Sequence, residues 1–360
     1  MNIHIFEEFK LVGGQEIYAI NLLKFFSEIK EIDSIKFYTS LKGKEFILRN
    51  HSDFSQNIIQ MPKNNFKKVF FIKKLIFNKK SYKEKRRNIV LCNSFNLSAI
   101  IAILNLFYGR YKKKNLFVIT HLSIKQFSHN FSLIKYVVFL FFDFLISLST
   151  IRICISKEIY SFYKRQSKKV LLIQNSLPKK EFYNQECLDY TSEIAFIGRL
   201  DKQKGIDYLC SLLSILYKEN YINRIEIAGS GNLKFQINDL SNLSSKIIYY
   251  NYISNPFNKI RSKIVLFPSY YEGFPLSLLE AVYFRNLPIT SNIEAFKNIL
   301  PENYPTLNFN LKKDILLIQN LLKNNYKREK LFKEISYYYN KNFSFEDWKL
   351  KWINLINGIY

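Results

Sequence analysis

The feature that most constrains this chain is an alternation that occurs twice. Short β-branched runs that read as strands give way to longer stretches with helical spacing, first from the N-terminus and again from about residue 192. In the first half "NIHIF" reads as a strand and "GGQEIYAINLLKFFSEI" as a helix. "NIVLCNS" and "LFVITH" read as further strands, and "IRICIS" closes the series. In the second half "EIAFIG", "RIEIAG", "KIIYYNY", "KIVLFPS" and "LPITSN" read as strands, with "GIDYLCSLLSILYKE" as a helix and another helix beginning near Pro275. Strands that alternate with helices build parallel sheets covered on both faces. The expectation is an α/β chain of two doubly wound, Rossmann-like domains in tandem. Ligands of open α/β sheets sit beyond the carboxyl ends of the strands, so two such domains would enclose an interdomain cleft. Turn and charged residues collect between about 176 and 192, which divides the chain into domains 1–175 and 176–342. The tail 343–360 has Trp348, Trp352, Leu355 and Ile359 on one helical face and should dock rather than hang in solvent.

Composition narrows the partners. The 360 residues, 48% of them hydrophobic, are enough for two cores, and the formal net charge is +25. That excess calls for an anionic partner, a phosphorylated substrate, a lipid surface or nucleic acid, although the codon bias of an AT-rich genome would produce part of it. No motif points to nucleic acid. Cys92, Cys154, Cys187 and Cys210 lack CxxC spacing. Buried thiols in a reducing compartment fit them better than a disulfide framework or a zinc site. The start "MNIHIFEEFKLVGG" carries Glu7 and Glu8 and has no long apolar run, so it is not a signal peptide. The most apolar segment runs from Phe131 to Ile155, interrupted by Lys135 and Asp143. A carboxylate in mid-membrane costs about 2.5–3.5 kcal/mol. The segment therefore reads as a buried helix followed by a strand, with a membrane-facing helix as the alternative.

Five stretches could carry chemistry. In "PSYYEGFPLSLLEA", Glu272 and Glu280 flank a strand-to-helix turn at which Pro275 suits the first helical turn. Amides at such a turn attract anions, and the carboxylates could accept bonds from sugar hydroxyls. A dipole-matched Glu272 beside a solvated Glu280 would have the same spacing. In "FIGRLDKQKGIDYL", Arg199 and Lys204 flank one loop and could neutralise a diphosphate; singly, each could equally be a solvated cation at a turn. The glycines Gly13 and Gly14 sit between the first strand and first helix, where a phosphate could approach or a tight turn could form. His121 ends a strand, and Gly229 and Gly231 follow one, as a further close-approach loop. The chain has no Asp-x-Asp, which weakens a metal-carried diphosphate.

In combination and in this order, these segments resemble the retaining glycosyltransferases of family 4, which have the GT-B fold. "GG", "ICIS", "VLLIQNSLP", "FIGRLDKQKGIDYL", "IEIAGSGN", "NYISNPF" and "VLFPSYYEGFPLSLLEA" carry the resemblance, and the most specific piece is the E-x7-E spacing of Glu272 and Glu280. The resemblance implies that Glu280 holds the ribose of a nucleotide. It implies that Glu272, with the amides of Gly273, Phe274 and Leu276, holds the donor sugar and phosphate. Arg199 and Lys204 would bind the diphosphate, Gly14 would bring the first domain's backbone against it, and His121 would lie beside donor sugar and acceptor. Glu272, His121, Arg199 and Lys204 form the implied catalytic set. No metal and no cofactor are implied, and the last helix would cross back to the first domain. Departures from the family pattern are "NSLP" where Asn-Gly is frequent, "IEAFKNIL" after "LPITSN" where glycines are usual, and Asn286 where glycine is common.

Residues 63–87, "KNNFKKVFFIKKLIFNKKSYKEKRR", interleave lysines with aromatic residues and read as a contact with an anionic membrane surface, or as a solvated basic loop. With the resemblance they imply a lipid-diphosphate-linked glycan acceptor, a UDP-sugar donor, surface-polysaccharide assembly of the capsule or O-antigen kind, and a cytoplasmic enzyme peripheral to the inner face of the membrane. Two rivals share the scaffold: a non-catalytic nucleotide- or nucleic-acid-binding protein and a nucleotide-sugar epimerase.

Overall fold

The structure is a computed structural model that describes residues 1–9, 13–76, 87–108, 115–124, 132–167, 169–177 and 189–359. Residues 77–86 of the basic stretch, Cys187, and most of the expected boundary segment lie outside the described residues. The chain divides into two units, Met1–Gln174 with Lys349–Tyr360, and Asn175–Trp348.

The first unit holds strands β1 (Asn2–Glu7), β2 (Ser34–Thr39), β3 (Ile58–Gln60), β4 (Asn88–Cys92), β5 (Leu116–Thr120), β6 (Ile151–Cys154) and β7 (Val170–Leu172). They form a parallel sheet in the order β3-β2-β1-β4-β5-β6-β7. Its helices are α1 (Gly14–Ser27), α2 (Leu41–Asn50), α3 (Asn65–Ile76), α4 (Phe95–Tyr108), α5 (Leu133–Ser149) and α6 (Lys157–Lys164). The central strands are buried along most of their length, as a sheet covered on both faces requires. At the start of α1 the Glu16 carboxylate accepts a bond from the Gly13 amide, the acidic half of a capping box.

The second unit repeats the plan with β8 (Ser192–Ile197), α7 (Ile206–Leu216), β9 (Ile225–Ala228), α8 (Lys234–Asn242), β10 (Ile247–Tyr250), β11 (Ser262–Phe267), α9 (Leu276–Tyr283), β12 (Leu287–Ser291), α10 (Glu294–Lys297), β13 (Thr306–Leu307), α11 (Leu311–Lys323) and α12 (Asn325–Asn342). Its parallel sheet runs β10-β9-β8-β11-β12-β13. The last helix, α13 (Phe345–Asn357), begins in the second unit and ends in the first.

Four expectations need correction. The first series does not close at "IRICIS": β7 follows it, and β2, β3 and β13 were not anticipated. In the tail, Trp348, Trp352 and Leu355 are buried, but α13 ends before Ile359, which is exposed; Ile356 takes the inward place. Lys68 of the basic stretch points inward and pairs with Glu8. The largest correction concerns α5, which is not a buried helix. Its buried residues are Asp143, Ile146 and Ser149, while its long apolar side chains face outward. Asp143 belongs inside because its Oδ1 accepts a bond of 2.8 Å from Arg152 on β6.

Candidate functional site

In the second sheet the strand order reverses between β8 and β11. The loops leaving these two strands are joined backbone to backbone. The Tyr270 amide donates to the Gln203 carbonyl (2.9 Å), and the Gln203 side-chain amide donates to the Tyr271 carbonyl (3.1 Å). Asp201 caps a single 3₁₀ turn, Lys202–Lys204, by accepting from the Lys204 amide at 3.1 Å. Gly205 then takes φ +67°, and a Cβ there would stand 2.0 Å from the Pro268 carbonyl oxygen. Only glycine lets the first loop close onto the second.

This closure brings together two charged groups far apart in sequence. The Lys204 ammonium pairs with Glu272 Oε1, which also accepts from the Ser269 hydroxyl at 2.9 Å. Glu272 is only 5% exposed, so its charge depends on these partners. Arg199 donates to Gln203 (2.7 Å), lies 3.4 Å from Asp201, and is more exposed than Lys204. Gly273, Phe274 and Pro275 are buried ahead of α9, Leu276 is the first residue of that helix, and Glu280 is half-buried within it. The predicted Arg199, Lys204, Glu272, Gly273, Phe274, Leu276 and Glu280 thus gather on two adjoining loops and one helix start. Lys204, expected to bind the diphosphate, is paired with Glu272.

The third loop of this unit has a different explanation from the one expected. A Cβ at Gly229 would lie 1.8 Å from the Gly198 carbonyl oxygen, and one at Gly231 would lie 2.2 Å from that of Leu200. These glycines admit the neighbouring loop's backbone, so their own fold accounts for them without a ligand.

The first sheet reverses between β1 and β4. Glu7 ends β1 and is fully buried. Its carboxylate accepts from Ser94 (2.7 Å), from Asn93, and from Gln15 (3.2 Å). Burial, with the charge of Glu16, pushes its pKa up to about 7 against the pull of those bonds. Because the Asn93 amide nitrogen donates to Glu7 and to the Gln15 carbonyl (2.9 Å), the Asn93 oxygen is the acceptor for His121 Nε2 at 2.6 Å. That assigns the proton of the neutral ring to Nε2 and leaves Nδ1 as an acceptor. Burial lowers the pKa of His121 to about 3, and the Tyr18 ring meets it edge-on with centroids 5.4 Å apart. A Cβ at Gly14 would meet nothing within 4 Å. The turn itself does not demand that glycine.

Glu7, Asn93 and Gln15 were missed by sequence reasoning. The available signal was positional, since Glu7 and Asn93 end the two strands flanking the reversal. Among the described residues no three His, Cys, Asp or Glu side chains gather as a metal-ligating group.

The family model "Glycosyl transferases group 1" matches residues 186–336. The O-antigen biosynthesis glycosyltransferase WclY of Escherichia coli is 23% identical over 297 residues, covering 77% of this chain and 80% of WclY. A Campylobacter jejuni α-1,4-N-acetyl-D-galactosaminyltransferase, whose name includes a diphosphate-undecaprenol-linked glycan, is 27% identical over 170 residues, 44% of this chain and 46% of that protein. A glycosyltransferase of Methanocaldococcus jannaschii is matched over 43% of its length, so the chain spans less than half of some relatives. Among solved structures, Anabaena HepE in complex with UDP-glucose superposes with a TM-score of 0.77 at 12% identity, over 99% of both chains. The two parallel Rossmann-like sheets and the last helix are those of the GT-B fold. Over residues 186–336 the chain is thus similar to the group 1 glycosyl transferases, and its described residues have the GT-B fold.

Proposed function

We propose that this chain transfers a sugar, with retention of configuration, from a UDP-sugar to a lipid-diphosphate-linked glycan in the assembly of a surface polysaccharide. The observation that carries the reading is the joined pair of loops after β8 and β11, where Arg199, Lys204 and Glu272 collect at the reversal of the sheet. Ligands of open α/β sheets bind at such reversals. Glu280 holds the ribose hydroxyls. Glu272 and the amides of Gly273, Phe274 and Leu276 hold the donor sugar and its phosphate. Arg199 and Lys204 stabilise the charge that develops on the departing diphosphate, which itself takes the proton of the acceptor hydroxyl on the same face. Glu272 is held by Lys204 and Ser269, which sets its orientation toward the sugar. In the first unit, His121 offers Nδ1 to a hydroxyl and Gly14 offers an uncrowded backbone to an anion.

The UDP base and lipid-linked acceptor are supported by HepE, solved with UDP-glucose, and by the Campylobacter relative's name. Residues 63–87 supply a membrane-surface contact, which suits an enzyme working at the inner face of the cell membrane. The test is a panel of nucleotide sugars read by thermal shift. At one hundred times Kd a donor stabilises by about 2.7 kcal/mol. The expected outcome is a shift with one UDP-sugar that Glu280→Ala abolishes. An unchanged affinity in that variant would sink the assignment of Glu280.

A further inference from the structure

Helix α5 is inside out. Nine of its side chains are exposed; eight of them are large hydrophobics and the ninth is Lys135. Leu133, Ile134, Val137, Val138, Phe141 and Phe144 dominate that face, with Phe144 60% exposed and Leu133 77%. The charge that a surface helix normally turns to water is on the other side. Asp143 accepts from Arg152 at 2.8 Å and from the Tyr163 hydroxyl at 3.3 Å, and the Arg152 guanidinium lies 3.9 Å from the centroid of the Tyr163 ring. The carboxylate that argues against membrane contact is therefore sequestered in the protein.

The surface continues onto neighbouring helices. Ile72 and Ile76 of α3, Leu97 and Ile101 of α4, and Ile146 of α5 share one core cluster, so the three helices cover the same side of the first sheet. Phe66 and Phe70 of α3 and Phe107 at the end of α4 are exposed, and Lys73 lies 4.9 Å from the centroid of the Tyr108 ring, tying α3 to α4. Across residues 63–76, 95–108 and 132–149 the only acid is Asp143. Lys68 is turned inward to Glu8. What remains of charge on these segments is Lys63, Lys67, Lys73, Lys74 and Lys135.

We infer that α5, flanked by the lysines of α3, lies in the plane of an anionic bilayer with its outward face among the acyl chains. This deepens the membrane-surface reading given above and rests on it, moving the apolar contact from 63–87 to α5. The helix is suited to lie in the interface: it has 17 residues, and no described helix is long and apolar enough to cross a membrane. Apolar side chains that enter the headgroup boundary, ringed by lysines and without an exposed carboxylate, complement anionic lipid. A second copy of the chain is a poorer occupant, because a two-fold interface would set the same lysines against one another.

The full chain is to be sedimented with vesicles of phosphatidylcholine alone and with phosphatidylglycerol added. Binding to the anionic vesicles is expected. It should weaken at least tenfold in Phe141→Glu/Phe144→Glu, and it should become insensitive to the anionic lipid in Lys67→Gln/Lys74→Gln/Lys135→Gln. UDP-dependent thermal stabilisation should be unchanged in both variants, which checks folding and keeps this inference separable from the proposed transferase reaction. The inference is overturned if the wild type binds neither vesicle or if the Phe variant binds as the wild type does. It is equally overturned if that variant converts a solution dimer to a monomer while vesicle binding stays the same.

Discussion

The two sheet reversals share a topology and differ in chemistry. Between β8 and β11 the loops gather full charges, with Lys204 paired to Glu272 and Arg199 beside Asp201. Between β1 and β4 they gather a buried network in which Glu7 is pushed toward its neutral form and His121 is held neutral by burial. On the proposed reading, one end meets an anion and the other orients hydroxyls without adding charge. The fold supplies the location in each case, and the side chains decide what can be held there.

The largest expected effect comes from breaking the charged end. Lys204→Met removes the cation paired with the buried Glu272, which still accepts from the Ser269 hydroxyl. Loss of one such charge-stabilising group costs on the order of 10²–10³ in kcat. Glu272→Gln should be comparably damaging. A double-mutant cycle should give strong non-additivity because the two groups act as one unit. If both single variants keep wild-type kcat, the charged reversal is structural and the comparison between the two ends collapses.

Much of this was legible in the sequence where the signal was local. Strands β4, β5, β8 and β11 each carry a run of four apolar residues and β9 alternates around Glu226, and both sheets could be inferred from them. Strands β3, β7 and β13 span two or three residues, too few to make a pattern, and Lys36 interrupts β2. Arg199, Lys204 and Glu272 were picked out by motif. The ion pair between the last two joins positions 68 residues apart and depends on Gly205 closing one loop onto another. The orientation of α5 was misread because the Asp143 carboxylate counted against contact with a membrane. Its partner Arg152 sits nine residues on, in the next strand, and no helical periodicity can reveal that contact. At the departure from the family's glycine near 286, Arg285 takes the left-handed turn (φ 62°) while buried Asn286 accepts from the Ser262 amide at 2.6 Å.

A middle-sized effect separates structural glycine from functional glycine. Gly205→Ala should destabilise the second unit by roughly 2–4 kcal/mol, because the new Cβ meets a carbonyl oxygen at 2.0 Å in a left-handed conformation. Gly14→Ala meets nothing, so its stability should change by less than about 0.5 kcal/mol in chemical denaturation. If Gly14 serves the donor phosphate, the same variant should still lose turnover. Full activity in Gly14→Ala would remove the first unit's turn from the donor site.

The smallest effect tests the uncharged end through pH. In the folded chain Glu7 keeps its proton up to about pH 7, whereas unfolded it would release it near 4.5. Between those values the native state binds the extra proton, so the Glu7 contribution to stability is present at low pH and is lost as pH rises toward 7. His121 and His4 act in the opposite sense. Burial lowers them from 6.5 to about 3 and about 4, so the unfolded chain binds more protons below pH 6.5, and stability is lost as pH falls through that window. In the wild type these slopes oppose each other between pH 4.5 and 6.5. Glu7→Gln removes the acid's titration and leaves the histidines, so urea unfolding of the variant should show stability rising steadily from pH 4.5 to 6.5. The difference from the wild-type slope should amount to about 1–3 kcal/mol across pH 4.5–7. Parallel pH profiles for the two proteins would mean that Glu7 is charged in the native state, and the contrast between the two reversals would then lie in burial rather than in charge.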